Sequence, residues 1–386
     1  MSAEKAGALA LNSVFGYEPG IPRALISGLG SAAAVFSLSS EERNSLFGPY
    51  VKHRDAVTGA LLEEAERELE RLYDSGLQFV GITEPEYPAL LKECEDAPVG
   101  LYIRSTTPVG NLFKEESISV VGTRDISPYG KEWCRRIVAA LGAAEHKPCI
   151  VSGLAIGVDI TAHLAALEGG MSTIAVLPTG IDDIYPSRHR EAAARIAQTP
   201  GCALITDYPP HTAVQAVNFL RRNRIIAGLS RATVLVESKI KGGGMMTARL
   251  SSGYGREVYA LPGRVDDLRS QGCNLLIKEK LAEPLDRCGS LAAEMGLGPY
   301  RRSCRQDFLK EVRTRLCSGS GAPVPTDHIL KVAALIKEKR GICLDEISVC
   351  LDMPYAEVSS AAGILESEGL ICTDVLQRCS VNFKIA

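Results

Sequence analysis

The 386-residue chain contains no run of about 18 apolar residues, so its hydropathy predicts no membrane-spanning helix. The N-terminus also lacks the charged-then-apolar pattern of a signal peptide. We therefore predict a cytoplasmic protein with no membrane partner. Hydrophobic residues make up 46% and charged residues 23% of the chain, proportions that are typical of globular proteins with an apolar core.

Signatures of common catalytic sites are missing as well. No GxxxxGK[ST], HExxH or GxSxG sequence occurs, and no acidic cluster is spaced to hold a metal. The twelve cysteines include no CxxC pair, and the last four follow a C-x6-C spacing that structural zinc sites do not use. We predict no cofactor, no metal and no enzymatic activity, with the thiols reduced in the cytoplasm.

The net charge of −3 conceals an uneven distribution along the chain. The segment from Arg221 to Arg264 carries nine Lys or Arg and two Glu, a local charge of +7. A positive patch in an otherwise acidic protein is typical of a surface that binds a polyanion.

Short apolar runs alternate with helical stretches from about Gly76 to Asp286. The runs have the length and composition of buried strands, and the stretches between them have the length of helices. This alternation predicts an α/β fold with a doubly wound parallel sheet. The predicted strands are Leu77–Ile82, Gly100–Arg104, Ser117–Gly122, Pro148–Ser152, Ser172–Leu177, Cys202–Asp207, Ala232–Glu237 and Glu257–Ala260.

The sequence before and after this region has a different character. Residues 1–75 show helical apolar spacing interrupted by glycines, which predicts a small all-helical domain. Residues 76–285 form the predicted sheet core, and 286–325 a helical segment and linker. Residues 326–386 show three helices followed by a hairpin, the order of a winged-helix domain, with Pro354 at the start of its third helix.

Three strand ends carry residues that suit an anion, because ligands of open parallel sheets bind beyond the carboxyl ends of the strands. Gly122-Thr123-Arg124 follows the third predicted strand. Ser152-Gly153 opens a glycine-bearing turn whose N–H groups we expect to be free for a phosphate. The turn does not have GxGxxG spacing, so a dinucleotide is disfavoured. Asp159 and His163 are expected to form a structural i, i+4 pair.

The positive segment contains a basic loop that precedes the seventh predicted strand and the third strand end, which follows that strand. We predict a loop in which Phe219 stacks on a base while Arg221, Arg222 and Arg224, with Asn223 between them, bind phosphate. Farther on, Lys241 flanks the glycines Gly242 to Gly244, which predict a second phosphate-accommodating turn before a helix.

Together these motifs resemble the DNA-processing protein A (DprA/Smf) family. The resemblance covers about Gly76 to Leu281 and rests on VGTR, SGLAIGVDITAH, TIAVLPTGIDDIYP, FLRRNRIIAGLS, GGGMMTA and GREVYALPG in this order. This sequence differs from the usual family pattern at three places. It has Thr123 where serine is customary, Thr206-Asp207 where Ser-Glu is customary, and His189 where asparagine is customary.

The resemblance implies an extended Rossmann-like core that binds single-stranded DNA, protects it and loads the RecA recombinase during natural transformation. It also implies a homodimer formed through the core. The single-stranded DNA contacts that follow from the motifs are Gly122, Thr123, Arg124, Ser152, Gly153, Phe219, Arg221, Arg222, Asn223, Arg224, Lys241 and Gly243.

Two alternatives come from other functional classes. One is a nucleotide-hydrolysing enzyme of the lysine-decarboxylase-like Rossmann group, although the acid of its PGGxGTxxE motif is missing after Gly242 to Gly244. The other is a duplex-binding transcription factor acting through the winged helix. From Thr326 to Ala386, however, six Lys or Arg face nine Asp or Glu, which disfavours binding to duplex phosphates.

Overall fold

The structure, a computed structural model, describes residues 2–16, 18–47, 51–298, 308–317, 324–339, 341–374 and 377–381. The chain divides into two compact units, Met1–Tyr300 and Arg301–Ala386, and each is described by itself. Among the described residues, no helix combines the length and the apolar character needed to cross a membrane.

A nine-stranded sheet forms the centre of the first unit. Its strands are β1 (Gln78–Gly81), β2 (Gly100–Arg104), β3 (Ser117–Val121), β4 (Cys149–Ser152), β5 (Thr173–Val176), β6 (Ala203–Thr206), β7 (Ala232–Leu235), β8 (Glu257–Ala260) and β9 (Glu283–Pro284). Their spatial order is β1-β2-β6-β5-β4-β3-β7-β8-β9. Each of the eight predicted strands is therefore present, with bounds that differ by at most two residues at either end.

The strands from β3 to β9 all run parallel. The chain winds outward from β3 through β4 and β5 to β6, then returns to β7 beside β3 and winds the other way. This confirms the doubly wound α/β prediction and places the topological switch point between the carboxyl ends of β3 and β7. The strands β1 and β2 at one edge were predicted, but the antiparallel pairing of β1 with β2 and of β2 with β6 was not.

Helices cover both faces of the sheet. In β3, β4, β7 and β8 the apolar side chains divide between two clusters, because successive residues of a strand point to opposite faces. The helices of the first unit are α1 (Ala3–Phe15), α2 (Gly20–Leu29), α3 (Ser40–Phe47), α4 (Val51–Ala56), α5 (Gly59–Asp74), α6 (Ala89–Glu93), α7 (Val109–Leu112), α8 (Pro128–Gly142), α9 (Val158–Glu168), α10 (Arg190–Gln198), α11 (Ala216–Leu229), α12 (Gly243–Gly253), α13 (Gln271–Lys278) and α14 (Cys288–Glu294). Helices α8, α9 and α14 share one apolar cluster with the sheet, and α1, α5, α11 and α12 share the other.

The N-terminal helices join the core of the sheet. Apolar residues of α1 belong to the same buried cluster as Phe79 and Tyr102 of the sheet. The amide of Asn12 donates a 2.8 Å hydrogen bond to the carbonyl oxygen of Asp207, and Lys5 forms an ion pair of 3.0 Å with Glu84. The described part of residues 1–75 is helical as predicted, and the boundary of a separate domain there stays a prediction.

The positive segment departs from the sequence prediction. Residues 216–229, expected to begin as a basic loop, form the continuous helix α11. Its arginines are compatible with helix formation, and most of the helix is buried, from Arg222 to Leu229 without interruption. The prediction of a loop was wrong, because arginine favours helices and residues 222–229 pack into the protein interior.

The second unit contains α15 (Phe308–Cys317), α16 (Thr326–Glu338), β10 (Ile342–Cys343), α17 (Leu344–Leu351), α18 (Tyr355–Ser367), β11 (Ile371–Thr373) and β12 (Arg378–Val381). The three strands form an antiparallel sheet in the order β10-β12-β11. Three helices and a hairpin follow one another in the predicted order, while the winged-helix assignment itself stays a prediction. Residues 299–307 and 318–323 of the predicted helical segment and linker lie outside the described residues, as do residues 382–386 at the end of the predicted hairpin.

Candidate nucleic-acid interface

Three loops meet at the switch point and are joined by their backbones. The N–H of Thr123 donates a 2.7 Å hydrogen bond to the carbonyl oxygen of Glu237, and the N–H of Val158 donates to the carbonyl oxygen of Thr123 at 3.2 Å. A Cβ added to Gly244 would lie 2.9 Å from the Cα of Gly122. The predicted strand-end segments after β3, β4 and β7 therefore form one surface, as the sequence indicated.

Glycine is required where the loops approach most closely. Gly157 has a φ of +89°, and a Cβ there would lie 2.2 Å from the carbonyl oxygen of Thr123. Gly243 differs, because a Cβ there would meet nothing within 4 Å and the residue is exposed. The glycine turn before α12 is thus packed on one side and open to solvent on the other.

Glu237 anchors a helix at this edge of the sheet. Its buried carboxylate accepts hydrogen bonds from the N–H and the hydroxyl of Ser127, and the Ser127 hydroxyl in turn accepts from the N–H of Gly130. A Cβ on Gly130 would lie 2.4 Å from the Glu237 carboxylate, so this contact needs glycine. Ser127 therefore caps α8, and the acid that ends the β7 segment holds this N-cap residue in place.

The turn after β4 is not the free phosphate cradle that we expected. The N–H groups of Gly153 and Ala155 both donate to the carboxylate of Asp159, at 3.2 and 3.4 Å. Burial raises the pKa of Asp159, and the charge of Arg222 partly opposes this shift. An internal carboxylate thus occupies the place where an anion was predicted, because Asp159 lies in the first turn of the helix that the turn begins.

His163 was expected to pair with Asp159 and has a different partner. Its Nδ1 lies 2.7 Å from the hydroxyl oxygen of Thr173, and the Thr173 hydroxyl donates to the carbonyl oxygen of Ile150. The Thr173 oxygen therefore accepts from Nδ1–H, and the buried Nε2 has no hydrogen-bond partner among the described residues. Burial is the main reason that the pKa of His163 falls to about 3.

Arg222 and Arg224, predicted to contact phosphate, are buried with 3% and 8% of their surface exposed. Arg222 donates hydrogen bonds to the carbonyl oxygens of Gly153 (2.7 Å) and Val176 (2.5 Å). Burial lowers its pKa to about 10, so the guanidinium stays charged at neutral pH. Arg222 thereby ties the turn after β4 to the end of β5.

Arg224 forms a buried ion pair. Its Nη2 lies 2.5 Å from Oδ2 of Asp207, and it also donates to the carbonyl oxygen of Asp96. Burial raises the pKa of Asp207 despite the nearby arginine charge. Ser152, Gly153 and Asn223 are buried as well, so five of the predicted contact residues lie beneath the surface and support it.

The exposed part of the site contains Arg124 and the half-buried ring of Phe219. The guanidinium carbon of Arg124 lies 5.0 Å from the centroid of the Phe219 ring. Tyr185 contacts the same ring edge-on, with centroids 5.2 Å apart and an interplanar angle of 76°. Tyr185 is not among the residues predicted from the sequence. It lies in the segment after the carboxyl end of β5, where the rule that ligands bind beyond strand ends would have indicated it.

The rest of the positive segment is largely neutralised by ion pairs with acidic residues, most of which are distant in sequence. Arg231 pairs with Glu116, Arg249 with Glu279, Arg256 with Glu93 and Arg264 with Asp266. Lys239 and Lys241 are exposed, and no described acid pairs with them. They precede α12, whose N-cap Gly242 provides no side-chain cap. The free N–H groups of this helix start and the two lysines form the remaining anion-attracting surface.

Comparisons with known proteins agree with this arrangement. A profile of the family described as DNA recombination-mediator protein A matches residues 78–296. Protein Smf of Escherichia coli (strain K12) is 36% identical over 242 residues, which are 59% of this chain and 63% of that protein. A DprA homologue of Mycobacterium tuberculosis (strain H37Rv) is 30% identical over 326 residues, 81% of this chain and 79% of the relative.

Two solved structures are similar in both fold and sequence. DNA processing protein A from Streptococcus pneumoniae gives a TM-score of 0.58 at 28% identity and covers 76% of this chain and 95% of that one. DNA processing protein A from Helicobacter pylori, whose structure is described for its single-stranded DNA binding mode, gives a TM-score of 0.50 at 27% identity. This match covers 57% of the present chain and 95% of the Helicobacter pylori chain.

The fold and site define an extended Rossmann-like protein with an anion-attracting surface at its topological switch point. The chain belongs to the DNA recombination-mediator protein A family, known as DprA or Smf. The description of this family is that of a recombination mediator rather than an enzyme. The chain spans 57% of the length of Protein Smf from Synechocystis sp. and 63% of that from Escherichia coli.

Proposed function

We propose that the protein binds single-stranded DNA across the carboxyl edge of its sheet and acts as a recombination mediator. The observation that carries this proposal is the exposed Arg124 guanidinium held over the Phe219 ring at the switch point. A cation beside an aromatic ring suits a strand that presents a phosphate and an unpaired base together. The description of the Helicobacter pylori relative, which binds single-stranded DNA, supports the same ligand.

The residues divide into contacting and supporting groups. Arg124 and Lys241 would neutralise phosphates, and the exposed start of α12 at Gly243 would let a strand approach the backbone N–H groups. Arg222 and Arg224 would act indirectly, because their charges are engaged inside the protein. Arg221 is exposed on the same helix and remains a proposed phosphate contact.

The test is fluorescence anisotropy of a labelled single strand at several salt concentrations. Each phosphate contact should steepen the loss of affinity by about 0.7 log units per log unit of salt. Duplex of the same length should bind more weakly, because its paired bases cannot reach the aromatic ring. Equal affinity for duplex and single strand at all salt concentrations would contradict the proposal.

The mediator role has further parts that rest on family membership. We propose that the protein protects incoming single strands in the cytoplasm, loads RecA on them during natural transformation and forms a homodimer through its core. Loading is measured as RecA-dependent ATP hydrolysis on strands already coated with a single-strand-binding protein, with and without this protein. Sedimentation equilibrium measures the dimer.

The nucleotide-hydrolysing alternative has no support from the site. The buried carboxylates near the switch point, those of Asp159, Glu237 and Asp207, hold protein groups, and the exposed carboxylate of Asp125 pairs with Arg269. In the second unit, α18 carries Glu357 and Glu366 and no Lys or Arg, so no observation favours duplex binding there.

A further inference from the structure

Tyr185 lies beside the proposed single-strand site. The residue is 41% exposed, and no described residue forms a hydrogen bond with its hydroxyl group. The ring contacts Phe219 edge-on at 5.2 Å, and Phe219 in turn carries the Arg124 guanidinium at 5.0 Å. Tyr185, Phe219 and Arg124 therefore form a continuous ridge, which we call the Tyr-Phe-Arg ridge.

Phe219 is poorly placed to be the main stacking surface. Arg124 already lies over its ring, and the ring is half-buried. A base could stack on that side only by displacing the guanidinium. A perpendicular contact, by contrast, occupies at most one face of Tyr185, whose ring is the more exposed of the two.

We propose that Tyr185 is a base-stacking residue of the single-strand site, and that Phe219 positions both Tyr185 and Arg124. The ligand group is an unpaired nucleobase of any kind, since every base offers a π-face. The neighbouring phosphate would meet Arg124 at the other end of the ridge. This inference rests on the proposed single-strand binding and names the part of the site that holds the base.

Binding to an abasic strand distinguishes the contribution of base stacking from that of the phosphate contacts. A base-bearing strand and an abasic strand of the same length carry the same phosphates, so only the former can stack on Tyr185. The variant Tyr185→Ala should weaken binding of the base-bearing strand by roughly five-fold to a hundred-fold and leave the abasic strand unaffected. Tyr185→Phe should keep the wild-type affinity, and Arg124→Ala should weaken both strands.

Tyr355→Ala is the matched control, because Tyr355 has the same 41% exposure and lies in the other compact unit. It should bind both strands as the wild type does. Wild-type affinity of Tyr185→Ala for the base-bearing strand, or an equal loss on both strands, would overturn the inference while leaving single-strand binding intact. A wild-type protein that binds neither strand would overturn the proposed function and the inference with it. Tyr185→Leu, which keeps a large apolar side chain, should lose stacking without loss of folding.

Discussion

Arg222 donates a 2.7 Å hydrogen bond to the carbonyl oxygen of Gly153, 69 residues away in sequence. The two groups are packed so closely that a Cβ on Gly153 would lie 2.0 Å from the guanidinium. This contact fixes the turn after β4 to the helix that also carries Phe219. A buried arginine and a glycine thus set the relative position of two loops at the candidate interface.

Arg222→Met should destabilise the fold strongly. The substitution keeps an apolar stem but removes the donors to two carbonyl oxygens and the cation that faces the buried Asp159. Removing one partner of a buried charge pair costs about 3–5 kcal/mol, and we expect a loss of that order in urea denaturation. Arg221→Met is the matched control on the exposed side of α11 and should cost less than about 1 kcal/mol. Equal stability of the two variants would contradict the assignment.

Substitution by alanine should lower the stability of the protein at Gly244 and leave it unchanged at the adjacent Gly243. A Cβ on Gly244 would lie 2.8 Å from a methyl group of Leu235 and 2.9 Å from the Cα of Gly122, whereas one on Gly243 meets nothing. Gly244→Ala should therefore cost about 1–3 kcal/mol through overpacking, measured by chemical denaturation. Gly243→Ala is the control and should fold as well as the wild type. A Gly244→Ala protein of unchanged stability would show that the β3 and β7 loops are not in close contact.

Arg124→Ala and Lys241→Ala should each reduce the salt dependence of single-strand binding. Every lost phosphate contact lowers the slope of log affinity against log salt by about 0.7, measured by anisotropy at several salt concentrations. Arg67→Ala is the control, because Arg67 lies on α5 and pairs with Glu64. It should leave the slope unchanged. If either site variant keeps the wild-type slope, that residue does not contact phosphate.

His163 should make the protein less stable in mild acid. The pKa of His163 is about 3 in the folded protein, below its ordinary value of 6.5, so the unfolded chain binds a proton more readily. The contribution of neutral His163 to the free energy of unfolding is fully present above pH 6.5 and is lost as the pH falls from 6.5 towards 3. Between pH 7 and pH 5 the loss amounts to about 2 kcal/mol.

The measurement compares the wild type with His163→Gln by urea denaturation at the two pH values. The raised pKa values of Asp159 and Asp207 act in the opposite sense, since the folded protein binds those protons more readily. They are common to both proteins and cancel in the difference. The wild type should lose about 2 kcal/mol more than the variant between pH 7 and pH 5. Parallel pH dependence would mean that His163 is not buried in its neutral form.

The sequence by itself determined the strands, most helices and the loops that meet at the switch point. These features follow from local properties: short apolar runs between Ser117 and Ala260, and glycines such as Gly157 and Gly244 at strand ends. Parallel strands place their carboxyl ends at one edge, so Gly122 to Arg124 could be placed beside the β7 loop without coordinates. Single-stranded DNA as the ligand stays a prediction from the same motifs.

Only the tertiary structure decided which charges of the site face solvent. Arg231 pairs with Glu116 and Arg256 with Glu93, partners 115 and 163 residues away, and helix α11 turns Arg222 inward. A count of cations along the chain cannot predict which of them face solvent. Burial and ion pairing depend on which distant groups the fold brings within about 4 Å. For the same reason, only the tertiary structure shows that Tyr185 belongs to the candidate site, because its ring contacts Phe219.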